Sequence, residues 1–154
     1  MRAGFVALAV ATLLGLAACG GSSSSAAGED PDEEEFSAAA DRSTCLADAQ
    51  QVDDFPDGYP ADFPMPPQTV VYDAEDRGEE GVVITGVTDL AFTDVLAALN
   101  GPAQDAGFTV TNGETEEHDA EANWAGNGYR GRWAIRESAT CPGETVVQVL
   151  ATSE

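Results

Sequence analysis

Lysine is missing from this chain of 154 residues, and its 6 basic residues, all arginine, face 28 acidic ones. A formal net charge of −22 argues against nucleic acid as a partner, because binding phosphates needs a basic surface. Histidine occurs once, at His118, and cysteine 3 times, at Cys19, Cys45 and Cys141. One histidine far from two internal cysteines makes no recognisable zinc ligand set. No Gly-rich phosphate loop follows a strand-like run, and no Gly-x-Ser-x-Gly segment marks a nucleophile. An apolar run of about 20 residues, enough to span hydrocarbon, is absent too. What remains is a hydrophobic content of 43%, too high for a wholly disordered chain although the charge alone suggests one. The length suits one domain with appendages.

The chain opens with Met1-Arg2, and residues 5–18 form an apolar run of 14 residues broken by Thr12 and Gly15. That length fits the apolar region of a secretory signal. The run ends in Leu16-Ala17-Ala18-Cys19, which resembles the lipobox of bacterial lipoproteins; an ordinary signal peptide is the plainer alternative. The resemblance implies that residues 1–18 are a lipoprotein signal peptide and that Cys19 becomes the mature terminus. Its sulfur would carry a diacylglyceryl group with palmitate-type chains, and its amine is often acylated. One acyl chain holds a protein marginally and two or three hold it stably. The expected location is the outer face of the cytoplasmic membrane, with the domain extracytoplasmic. Loss of Arg2 with the signal leaves 5 arginines, for a mature charge of −23.

Residues 20–28 (GGSSSSAAG) read as a flexible linker, and residues 29–35 (EDPDEEE) place six carboxylates in seven positions. Such a run is solvated and self-repelling. An anionic membrane repels it as well, so a tether over residues 19–40 should hold the domain clear of the lipid. A metal role is disfavoured, because disordered carboxylates have no fixed geometry.

The domain is assigned to residues 41–154. Residues 43–51, rich in helix formers, predict a short helix. Residues 55–67 (FPDGYPADFPMPP) hold five prolines and three aromatics and read as a polyproline-like strap whose rings fill surface grooves. A proline-rich ligand for an aromatic groove is the functional alternative. Residues 68–72 and 81–87 predict strands around the acidic loop 73–80 (DAEDRGEE). An EF-hand reading of that loop fails, because Arg77 takes a ligand position and Ile84 stands where the bidentate acid belongs. Thr88 or Asp89 can cap a helix reaching Asn100, with Phe92, Val95, Leu96 and Leu99 on one face. Pro102 should interrupt it and Gly107 should end it. Residues 108–111 predict a third strand, and Asn112-Gly113 a turn.

Residues 119–137 (DAEANWAGNGYRGRWAIRE) are the most informative, because Asn127-Gly128 between alternating segments is a strong hairpin signal. A two-residue turn there pairs positions whose numbers sum to 255. One face sets Trp124 opposite Gly131, Ala122 opposite Trp133 and Ala120 opposite Ile135. The other sets Asn123 opposite Arg132 and Asp119 opposite Arg136, with Glu121 diagonal to both arginines. Arg130, Arg132 and Arg136 thus share one face and could form a surface for an anionic ligand or a carboxylated partner. Local charge neutralisation in so acidic a chain is the competing explanation. Residues 145–151 predict a final strand, central or well covered. Together these elements predict an α+β domain: a mostly antiparallel sheet of about five to six strands with one or two helices on one face.

In an exported domain Cys45 and Cys141 are expected to pair. The disulfide would close a loop of about 95 residues and contribute roughly 4–5 kcal/mol on chain-entropy grounds. His118 lies among Glu116, Glu117 and Asp119 and reads as a solvated loop histidine. The layout is also similar to small uncharacterised lipoproteins of high-GC Gram-positive bacteria, through "DFPMPP", "AGFTV" and "GNGYRGRW". That likeness implies membrane attachment and supplies no substrate. The functional expectation is a non-enzymatic, lipid-anchored binding or interaction module of the cell envelope. It would be a monomer, with no cofactor or metal, meeting an unidentified envelope protein or ligand. The alternative is a small envelope hydrolase or metal-dependent enzyme using His118 and neighbouring carboxylates.

Overall fold

The computed structural model describes residues 44–154, so Cys19, the signal and the tether lie outside the described residues. The hairpin forms as its turn chemistry requires. Asn127 and Gly128 both take left-handed backbone angles, with φ of 54° and 82°, which suits a two-residue turn to the twist of its strands. Strand β4 (Asp119–Gly126) therefore pairs with β5 (Tyr129–Glu137) in the expected register, from Gly126 opposite Tyr129 to Asp119 opposite Arg136.

Four more strands complete one antiparallel sheet. They are β1 (Val70–Asp76), β2 (Val82–Thr88), β3 (Thr109–Thr115) and β6 (Thr145–Ser153), in the spatial order β1-β2-β6-β5-β4-β3. β6 is thus central, which explains why Thr145 to Val149 are all buried. Between β2 and β3 the chain must travel from one side of the sheet to the far edge. Helices α1 (Phe92–Asn100) and α2 (Pro102–Asp105) make that crossing, and α1 packs on β5. The fold is α+β with its helices on one face.

Periodicity decides which face. Phe92, Val95 and Leu99 of α1 are buried against Ile84, Trp133, Ile135, Val147 and Val149 from alternate sheet positions. Gly131 leaves room for the Trp124 indole, as the pairing of large with small side chains demands; a Cβ there would come within 2.6 Å of Trp124 Cζ2. The strap closes the same face. Its Phe63 ring lies 4.8 Å from Trp124 and 5.2 Å from Phe108, in tilted contacts. Tyr59 stacks edgewise on Phe63, and both rings are buried. Burying a large apolar side chain contributes roughly 1.5–3 kcal/mol, so the proline segment is part of the core.

Four local expectations are corrected. Over the described part of 43–51 there is only a turn, in which Asp48 N–H and Ala49 N–H both donate to Cys45 O. Tertiary partners hold it in place: Leu46 N–H donates to Glu144 Oε2 at 2.8 Å, and the Gln51 side chain accepts from Val71 N–H at 3.2 Å. Helix propensity is worth tenths of a kcal/mol per residue, too little to compete. Asn112-Gly113 lies inside β3 and does not turn the chain, because a bulge at Thr111 lets Asn112 pair with Asn123 and Gly113 with Ala122. The acidic loop is shorter than expected: β1 runs on to Asp76 and the reversal is a single 3-10 turn at Gly78–Glu80. The helix cap moves as well. Ala91 occupies the cap position of α1, and the Thr88 hydroxyl instead accepts from Leu90 N–H at 3.2 Å.

Candidate functional site

The sheet face away from the helices divides in two. Its β2–β6 half is buried, with Val83, Val87, Val146 and Gln148 at 4% exposure or less; Gln148 Nε2 donates to Thr85 Oγ1 at 3.3 Å. Its β3–β5 half is polar, and the three arginines lie there. β5 places Arg130, Arg132 and Arg136 on this one face, as the register requires. Arg132 is 15% exposed at its side chain and its guanidinium meets the Glu121 carboxylate. Arg136 lies 3.7 Å from Asp119 Oδ2. Arg130 is exposed and makes no ion pair with a described residue. Local neutralisation accounts for Arg132 and Arg136, so the three do not form a cluster of unopposed positive charge.

Beside them is a shallow hollow of about 290 Å³ lined by Asn112, Glu114, Glu121, Asn123 and Arg132. Its amides are tied together: Thr111 Oγ1 donates to Asn112 Oδ1 at 3.0 Å, and Asn123 Nδ2 reaches the same oxygen at 3.4 Å. Donors and acceptors of both charges are thus offered side by side, an arrangement suited to hydrogen bonding. A second hollow of about 300 Å³ is rimmed by Asp57, Asp76 and Glu79 beside Ala151 and Thr152.

His118 lines neither hollow. It sits in the β3–β4 turn with its side chain 64% exposed, Nδ1 lying 2.9 Å from Glu137 Oε2 and Nε2 3.8 Å from Glu117 Oε1. Among the described residues, one carboxylate, that of Glu137, is within hydrogen-bond reach. The geometry favours the solvated reading over a general base, which needs substrate access as well as a partner.

Cys45 and Cys141 are joined in a disulfide with their Cα atoms 5.7 Å apart, within the usual range. Cys141-Pro142-Gly143-Glu144 turns tightly, with Glu144 N–H donating to Cys141 O at 3.1 Å and Gly143 at a φ of 88°. The turn brings the Glu144 carboxylate to the two sulfurs, within 4.8 Å. Sequence reasoning missed that approach, although the Cys-Pro-Gly-Glu spacing carries it. The chain just after Cys45 is then fixed at both ends, by the disulfide and by Val52 N–H donating to Val71 O at 2.7 Å.

Tyr59 and Tyr72 are perturbed by position. Burial pushes the Tyr59 phenol well above its ordinary range. Burial also raises Tyr72, helped by the Asp73 charge and opposed by a hydrogen bond from the Thr44 backbone.

The aromatic strap, a candidate contact surface in the sequence, turns its rings inward. Phe55, at 38%, is the only large hydrophobic side chain exposed among the described residues. No helix among the described residues is long and apolar enough to cross a membrane. Comparison with family models, with curated proteins and with solved structures gives no match, so function must be read from this chain's own residues.

Proposed function

We propose that the protein is a lipid-anchored, extracytoplasmic lipoprotein that acts as an interaction module of the cell envelope. The observation that carries this reading is Leu16-Ala17-Ala18-Cys19, which closes the 14-residue apolar run that follows a charged start. In this reading Cys19 bears the lipid, and the acidic residues that follow keep the domain away from an anionic membrane. The Cys45–Cys141 disulfide supports an oxidising compartment beyond the cytoplasmic membrane. A shallow polar hollow joined to an exposed sheet edge supports a binding role. The partner is an envelope component, and the membrane itself is met only through the anchor.

Metabolic labelling with radioactive palmitate in a bacterial host tests the anchor. The full-length protein should take up label and the Cys19→Ala variant should take up none. Unlabelled full-length protein, or equal labelling of the variant, would overturn the proposal.

A further inference from the structure

The two edges of the sheet are finished differently. At β1 the chain covers its own edge, where Val52 N–H donates to Val71 O and the Gln51 side chain accepts from Val71 N–H. β3 at the other edge pairs only with β4. Among the described residues, no further backbone hydrogen bond reaches β3, and six of its seven residues are exposed. An uncovered strand of this length is normally guarded by proline, by charged side chains (lysine above all) or by a bulge. β3 reads Thr-Val-Thr-Asn-Gly-Glu-Thr, with neither proline nor lysine, and its bulge at Thr111 leaves Asn112 to Thr115 in regular pairing.

The direction of its open groups follows from the turn. Glu116 N–H donates to Asp119 O at 2.8 Å, and bonded and non-bonded pairs alternate from there along an antiparallel ladder. Glu114 opposite Glu121 is then a bonded pair. The N–H and C=O of Gly113 and Thr115 point away from β4.

Charge specifies what can dock. Glu114 lies directly opposite Glu121, an unfavourable cross-strand pairing of like charges. Glu121 is compensated from the β5 side by Arg132. Glu114 has no ion pair with a described residue, and its open side is the sheet edge. A second copy of this chain would bring further acid to that edge, at a net charge of −22 per chain, and would be repelled. A basic side chain on an added strand would instead extend the row, with Arg132, Glu121, Glu114 and the incoming cation neutralising one another.

We infer that the β3 edge binds an extended, arginine- or lysine-bearing segment of a partner protein as a seventh strand, with a basic residue beside Glu114. Main-chain hydrogen bonds to Gly113 and Thr115 provide affinity, and alternate side chains provide selectivity. This inference rests on the reading of the chain as an interaction module. It does not depend on the lipid, so palmitate labelling and strand addition can fail separately.

The test uses the full-length chain in detergent micelles and an octapeptide alternating arginine with threonine or valine. Amide-resolved hydrogen exchange should slow at Gly113 and Thr115 by tenfold or more when this peptide is present. The same peptide with glutamate for arginine, or with alternate backbone nitrogens methylated, should give no slowing. Glu114→Gln should weaken binding about fivefold or more while leaving the amides of β5 and β6 unchanged. Three results would overturn the inference: no binding, binding that leaves both β3 amides unprotected, or equal binding of the methylated peptide. Protection of these amides without peptide, through self-association, would likewise overturn it.

Discussion

Gly131 sits in the middle of β5 because its neighbours leave no room for a side chain. A Cβ would collide with the Leu150 carbonyl and with the Trp124 indole, and the carbonyl belongs to a central strand that cannot move. Gly131→Ala should therefore cost about 2–3 kcal/mol, as overpacking of a tight core does. Urea unfolding checks it, with Gly128→Ala as the control. Gly128 has open space around it and only a left-handed φ of 82°, so its replacement should cost about 1 kcal/mol. Tyr59 gives a pH-dependent counterpart. Its folded phenol stays neutral above the ordinary value of 10.0, so the unfolded chain loses that proton first as pH rises. Its contribution is intact below about pH 10 and should then fall by about 1.4 kcal/mol per pH unit. Comparing urea midpoints at pH 9 and 11 should show a steeper decline for the wild type than for Tyr59→Phe. The pairing of Trp124 with Gly131 was legible in the sequence, since turn chemistry and period-2 alternation dictate it together. The bond from Leu46 N–H to Glu144 was not, because it depends on where a distant turn is docked.

The elements differ in legibility for the same reason. The β4–β5 hairpin and α1 announce themselves locally, through a turn dipeptide and a 3.6-residue period. Residues 44–51 do not, because Leu46 N–H is held by Glu144 and the Gln51 side chain by Val71 N–H, partners remote in sequence. Asn112-Gly113 misled because a turn dipeptide is also compatible with a strand when a bulge precedes it. Gly113 is needed there for another reason: a Cβ would strike the Glu121 carbonyl and the Ala122 side chain. The N-terminal strap of the domain is held across the sheet end by the disulfide, whose cysteines are 96 positions apart. Replacing the pair by serine should lower stability by about 4–5 kcal/mol on the chain-entropy model. Denaturant melts measure that loss, and hydrogen exchange at Val52 and Leu46 should rise before that of β6. A loss below about 1 kcal/mol would mean that the segment is held by its hydrogen bonds alone.

Considered as one molecule, the chain combines a densely packed sheet with an excess of negative charge. The core is built on the helix-covered face, where aromatic rings from the strap, the β3 entry and β4 meet. The acids are left to the loops, the tether and the β3–β5 surface. Two arginines on that surface are engaged with their own acids, which moves the search for a partner from the arginine face to the β3 edge. The strap, another contact surface suggested by composition, is committed to the core. Composition could not distinguish these surfaces, because the same residue types serve packing and binding and only the fold separates them. The proposed function depends instead on the lipobox-like Leu16-Ala17-Ala18-Cys19, which lies outside the described residues.

Intact-mass and N-terminal analysis of the protein extracted from membranes with detergent tests that signal most directly. The account predicts a chain beginning at Cys19, with a diacylglyceryl group on its sulfur and the first 18 residues absent. A chain beginning elsewhere, or a Cys19 with an unmodified sulfur, would contradict it.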